Sequence, residues 1–159
     1  MIRDLNKNYA GRTVDVCISG KLEPQTNGVQ PLGLTFGRVS TKCAGVQKLL
    51  QRYTIMLLTA KGSQKDNPNF GTDLIPILLG GNLIDVGHLV HTFNLASWSV
   101  VKTLRDYQSK HPEQPADEQI NTALLVDYKV QGSTVLFNVK IQTQAGDIID
   151  FVLPVTTPD

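Results

Sequence analysis

Three small groups of side chains in this sequence are of types that could do chemistry. Asp85, His88 and His91 fall at i, i+3 and i+6 of a helical pattern. Two histidines three apart can share a metal ion, but no glutamate-rich stretch or second helix of ligands accompanies them. A solvated helix face is the expectation, and no metal is assigned. His111 stands alone in a loop. Glu113, Asp117 and Glu118 could be read as a glycosidase acid/base pair, which needs two carboxyls across a cleft, one kept protonated by apolar surroundings. All three lie in one polar, proline-containing segment, where solvation is expected to hold their pKa values near ordinary. Cys17 and Cys43 have neither the number nor the spacing of a zinc site or a disulfide framework and are expected as free thiols. No nucleophile elbow and no phosphate-cradling glycine loop is present. The sequence therefore assigns no catalytic residue and no cofactor.

Composition narrows the function classes further. A chain of 159 residues suits one domain, or one domain with an attached arm. Lys+Arg 15 against Asp+Glu 14 leaves a net charge of +1, without the basic excess of a sequence-independent nucleic-acid binder. Charged residues make up only 18%, and polar uncharged residues fill the difference, as on a surface that meets other proteins. No apolar run approaches the ~20 residues of a membrane span. Met1-Ile2-Arg3-Asp4 begins no secretory signal, so a soluble, cytoplasmically assembled protein is expected.

The elements that must position these groups are readable from period. Thr13–Ser19 alternates and predicts a strand. Residues 20–37 carry Pro24, Asn27-Gly28 and Pro31, which is loop chemistry, with at most a short strand at Leu32–Phe36. Val46, Leu49, Leu50, Tyr53, Met56 and Leu57 predict a first helix, capped by Ser40 or Thr41 and ended at Gly62, with Gln47, Lys48, Gln51 and Arg52 on its outer face. A short second helix follows Gly71, capped by Thr72 or Asp73, with Leu74, Ile77 and Leu78 inward. Asp85 caps a third, long helix whose stripe runs Val86, Leu89, Val90, Phe93, Ser97, Val100, Val101, Leu104 to about Gln108. From Ile120 the period becomes two. Leu124, Val126, Tyr128 and Val130, then Val135, Phe137, Val139 and Ile141, then Ile149, Phe151 and Leu153, predict a three-strand antiparallel meander with one face on the helices. Pro154 and Pro158 are expected to close it. The fold class is α+β, helices packed on a small C-terminal antiparallel sheet. Residues 1–41 form an extended N-terminal arm with a short strand, loose until packed on neighbours, and residues 42–159 form the domain.

The most distinctive stretch is Leu57-Leu58-Thr59-Ala60-Lys61-Gly62 followed by Pro68-Asn69-Phe70-Gly71-Thr72-Asp73-Leu74. Phe70 offers an apolar anchor, and Gly71 permits a close backbone approach. The order of these motifs, followed by a helix and a C-terminal meander, resembles the sheath-initiator family of contractile phage tails, the small TssE-like, lysozyme-like baseplate wedge proteins. The resemblance covers about residues 42–155. It implies a structural part of the baseplate wedge with no enzymatic role. Such a part would link the wedge core proteins to the first ring of the tail-sheath protein by strand addition and initiate sheath assembly. It would be present in six copies or a multiple, in the virion tail baseplate, after assembly in the host cytoplasm.

On this resemblance Pro68, Phe70 and Gly71 are the fold-signature loop. Pro115, Asp117, Glu118 and Gln119 stand where the family carries Glu-Pro-Arg and would face the wedge; the proline and arginine have no positional match here. Ile149, Asp150, Phe151 and Val152 are expected to be the edge strand that meets the sheath. A peptidoglycan-cleaving enzyme and a generic strand-accepting adaptor are the alternatives from other classes. The partners expected include neither nucleic acid nor membrane.

Overall fold

A computed structural model describes residues 15–17, 29–31, 41–81 and 85–156. The stripe after Cys43 forms helix α1 (Val46–Leu58), a six-residue helix α2 spans Leu74–Leu79, and the longest stripe forms α3 (Val86–Lys110). Asp85 caps α3 as its sequence predicts, its Oδ1 accepting from the His88 amide at 2.7 Å. A 3₁₀ turn, Ala116–Glu118, leads into strands β4 (Ile120–Gln131), β5 (Thr134–Thr143) and β6 (Ile148–Thr156). These three form an antiparallel meander, and the fold is α+β.

Alternation on β5 and β6 buries one face completely. Val135, Phe137, Val139 and Ile141 join Ile149, Phe151, Leu153 and Val155 in a single core with Leu49, Leu50 and Leu57 of α1 and Leu89, Phe93, Val100 and Leu104 of α3. Phe93 stacks on Phe137 with ring centroids 4.2 Å apart. Where α1 crosses α3, the Tyr53 hydroxyl and Ser97 Oγ share a hydrogen bond of 2.7 Å. Burial pushes the Tyr53 phenol up to about 12, and the Ser97 bond offsets only part of that. This bond satisfies two polar groups that the core would otherwise strand.

Several elements depart from the sequence expectation for physical reasons. Thr41 is not a cap; it lies in strand β3 (Thr41–Cys43), and Gly45 stands at the helix start with φ 62°. Ser40 falls outside the described residues. Helix α1 ends at Leu58, before Gly62, because Thr59 turns extended with its hydroxyl donating to Ile55 O at 2.6 Å. Lys48 and Gln51, expected on the solvated face, are buried, since that side of α1 is covered by β1 (Asp15–Cys17), β3 and the 3₁₀ turn. Gln51 Nε2 donates to Val16 O at 2.8 Å. Pro154 does not end the sheet; β6 continues through it, opposite Leu136. Its missing N–H is tolerated because β6 has no described neighbour on its outer side beyond Val152.

Strand β1 pairs antiparallel with β3, and a two-residue strand β2 (Gln30–Pro31) pairs parallel with β6. The expected boundary between residues 41 and 42 therefore falls inside a strand rather than in a linker. The short strand expected at Leu32–Phe36 and the residue Pro158 lie outside the described residues.

Strand β4 holds the largest departure. Leu124 opposes Lys140 and Leu125 opposes Val139, but Asp127 opposes Asn138 and Tyr128 opposes Phe137. Val126 is an extra residue, a β-bulge. One extra residue exchanges the faces of everything after it. Ala123 and Leu125 are half-buried on the core side before the bulge, while Leu124 points outward. Tyr128 and Val130 lie on the core side after it, opposite Phe137 and Val135, yet remain 40% and 48% exposed. The regular alternation of Leu124, Val126, Tyr128 and Val130 in sequence is not one face in space.

Candidate functional site

The Thr59–Thr72 segment is closed by its own backbone. Thr72 N donates to Thr59 O at 2.8 Å and Lys61 N to Thr72 O at 2.9 Å, a parallel bridge between two short extended stretches. Thr72 Oγ1 donates to Leu57 O at 2.7 Å and accepts from Leu74 N at 3.3 Å, so one hydroxyl joins the end of α1 to the start of α2. Gly71 has φ 98°, and a Cβ placed on it would sit 2.4 Å from Thr59 O. Glycine is required there on both counts. Phe70 packs half-buried on the core, whereas Pro68 is exposed. Beside this loop, Arg52, Ile55, Met56, Phe70, Leu104 and Tyr107 line an open groove of about 420 Å³. The Arg52 guanidinium lies 5.3 Å from the Tyr107 ring centroid, a cation–π contact.

The Pro115–Ile120 segment is stitched inward. Glu118 is 2% exposed; its Oε1 accepts from the Gly45 amide at 3.0 Å and its Oε2 pairs with Lys48 Nζ at 3.0 Å. The carboxylate thus satisfies an amide at the α1 N-terminus, where the helix dipole favours negative charge. Gln108 holds both backbone polar atoms of Ile120, Oε1 accepting from its N at 2.7 Å and Nε2 donating to its O at 3.1 Å. Gln119 Nε2 donates to Gln114 O at 2.6 Å. The expectation that Glu118 is a solvated contact residue is overturned: it is bound within the chain by Lys48, seventy residues away in sequence. Pro115, Asp117 and Gln119 are half-buried on the same turn. Lys48, Gly45 and Gln108 carried no sequence signal beyond their place at helix ends and faces.

Glu113 and Glu118 both line a small open depression of about 170 Å³ with Lys48, Arg52 and His111, but Glu118 is already held by Lys48 and the Gly45 amide. Glu113 accepts from its own backbone amide and pairs with His111 Nδ1 at 3.0 Å, which together hold it below its ordinary value; a general acid needs the opposite shift. On α3, Asp85 is occupied by the His88 amide. His88 and His91 line an open depression of about 370 Å³ with Lys61, Asp73, Ile77 and Leu95. Among the described residues no group of three or more His, Cys, Asp or Glu side chains is arranged to hold a metal ion, and no helix is long and apolar enough to cross a membrane.

The sheet presents its free edge at the strand opposite to the expected one. The order is β2-β6-β5-β4. Phe151 and Val152, expected with Ile149 and Asp150 to form the open edge, have Gln30 and Pro31 on their outer side. Ile149 and Phe151 also point into the core at 1% and 0% exposure. The expectation of an open edge on β6 is corrected for Phe151 and Val152, which β2 covers, while Ile149 and Asp150 have no described strand outside them. Strand β4, twelve residues long, is the long edge: no described strand lies on its outer side, and only its first residues, Ile120 and Asn121, are held by side chains of α3. It exposes Leu124, Val126, Tyr128 and Val130, each at least 40% accessible. The bulge at Val126 and the charges on Asp127 and Lys129 partly guard this edge. Compared with known families and curated proteins, the chain matches no family model and no curated sequence.

Proposed function

We propose that this protein is a non-catalytic assembly part of a contractile phage tail baseplate, joining the wedge core proteins to the first ring of the tail-sheath protein. The observation that carries the reading is the β4 edge: among the described residues no strand lies on its outer side, and it bears four exposed apolar side chains. An added strand would gain main-chain hydrogen bonds along it and cover those side chains. The meander braced by helices, and the Gly71 clasp that fixes α1 against α2, agree with the family resemblance drawn from the same motifs. The wedge-facing side would be the outer surface of the turn at Pro115, Asp117 and Gln119, with the neighbouring Arg52–Tyr107 groove. Six copies or a multiple would ring the tail axis, incorporated in the host cytoplasm before the baseplate joins the virion.

The test is a pull-down with the tail-sheath protein. A V126K/V130K variant should keep its stability within about 0.5 kcal/mol, as surface substitutions do, and lose at least about tenfold in sheath affinity, since each valine buried by an added strand contributes ~1.5 kcal/mol or more. An L95K variant, altered on the exposed face of α3, should bind like the parent. Equal binding by both variants would remove β4 from the interface.

A further inference from the structure

Cys17 and Cys43 are the two cysteines of the chain, and neither is in a disulfide. The β1–β3 register sets Asp15 opposite Cys43 and Cys17 opposite Thr41. Cys17 and Cys43 are thus two residues out of direct opposition, and this parity puts both side chains on one face of the ribbon. Cys17 is close enough to Cys43 to act on its thiol. Their surroundings differ. Cys43 is buried at 3% exposure with its Sγ 3.9 Å from Gln51 Oε1, while Cys17 is partly accessible. Burial, and then the neighbouring Cys17, push the Cys43 thiol up to about 12. Cys43 is thereby kept from reacting first, and Cys17 is the one a reagent can reach.

We propose that Cys17 and Cys43 form a reversible redox clasp, closing to an intrachain disulfide when the protein meets a low-molecular-weight disulfide of the oxidised-glutathione class. Cys17, as thiolate, attacks one sulfur of the reagent, and the S–S bond breaks to release one reagent thiolate. Cys43 gives up its proton and attacks the Cys17 sulfur of the mixed disulfide, expelling the second reagent thiolate. Two electrons and two protons pass to the reagent, which leaves as two thiols. Diagonal neighbours on a ribbon lie about 7–8 Å apart, at the limit for a disulfide, so closing the bond requires β1 to shift against β3 and the bond is the strained, reducible kind rather than a permanent staple. Closing it links β1 to β3 covalently and shuts residues 18–42 into a loop. That loop carries β2, which covers the outer flank of β6, so the clasp fastens the strand that decides which sheet edge is free. A reducing interior would leave it open and an oxidising medium would close it. The inference rests on the ribbon alone and stands or falls independently of the baseplate reading.

The full-length protein, kept folded and incubated with oxidised glutathione, should lose both titratable thiols and two hydrogens of mass. It should stay monomeric on a non-reducing gel and yield a linked Cys17–Cys43 peptide on digestion, all reversed by dithiothreitol. A Cys43→Ala variant should instead stop at one glutathione adduct on Cys17, and a Cys17→Ala variant should stay unmodified. A parent protein that also stops at the Cys17 adduct, or that links only between chains, would overturn the clasp.

Discussion

The turn at Pro115–Ile120 and the strand β4 that follows it are adjacent in sequence and opposite in fate. The turn is polar and charged, yet its Glu118 is among the most buried side chains of the molecule. The strand is apolar and alternating, yet Leu124, Val126, Tyr128 and Val130 are each at least 40% exposed. Polarity alone misplaces both. A carboxylate can be buried when a lysine and a helix-terminal amide wait for it. An apolar strand can be left exposed when it lies at the end of the sheet. The charged segment that resembles a contact motif holds the fold together, and the plain apolar strand is left exposed at the sheet edge.

The largest expected effect breaks the inward half of this comparison. Glu118→Lys places a second ammonium beside Lys48 and removes the acceptor of the Gly45 amide. Loss of one member of a buried pair costs about 3–5 kcal/mol, so the urea midpoint should fall by about 2 M for a chain of this size. Replacing both partners, with Lys48→Met and Glu118→Gln, removes the buried charges and keeps an acceptor for Gly45. That double variant should recover to within about 1–2 kcal/mol of the parent. A Glu118→Lys protein of parental stability that fails only in partner binding would return Glu118 to the surface-contact role.

Next in size is the clasp that the same resemblance singled out. Gly71→Ala should cost about 2–4 kcal/mol, since alanine is strained at φ 98° and its Cβ would part the hydrogen bonds between Thr59 and Thr72. Gly62→Ala is the internal control: φ is 82° but nothing lies within 4 Å of the added Cβ, so only the backbone strain of about 1 kcal/mol remains. Thermal unfolding of the two variants measures the difference. Equal losses would mean that close approach to Thr59 contributes nothing.

These expectations show where the sequence was legible. The stripes of α1 and α3, the Asp85 cap and the β5 and β6 alternation are local patterns, and each appears where its period puts it. The Phe70-Gly71 motif was legible as a tight approach, although the partner carbonyl on Thr59 was not. What escaped depends on pairs far apart in the chain. Lys48 meets Glu118 only after folding. The bulge at Val126 is a property of the β4–β5 register and not of β4 alone. The cover on β6 comes from Gln30–Pro31, two residues with no strand signal of their own and a proline among them. For the same reason the burial of Glu118 and the cover on Phe151 and Val152 were not legible: what a surface offers is what the tertiary pairing leaves over.

The smallest expected effect sharpens the comparison within the turn itself, between buried Glu118 and exposed Glu113. Glu113 is held below its ordinary value of 4.5, first by its own backbone amide and then by His111. A depressed folded-state pKa contributes stability above the unfolded value, and that contribution is lost as pH falls through the lower folded value. The window therefore lies below pH 4.5. Both side chains are exposed, at 42% for His111 and 73% for Glu113, so the change belongs in a site-resolved NMR titration rather than in a melting curve. His111→Ala should raise the Glu113 midpoint without restoring it fully, because the backbone bond remains. In strong salt the difference between parent and variant should shrink, since exposed charges are screened. The destabilisation by Glu118→Lys should persist in the same salt, as a buried pair is screened far less. A salt response of the Glu118 variant as large as that of the His111 variant would place both carboxylates in the same solvated environment and erase the distinction between the inner and outer sides of the turn.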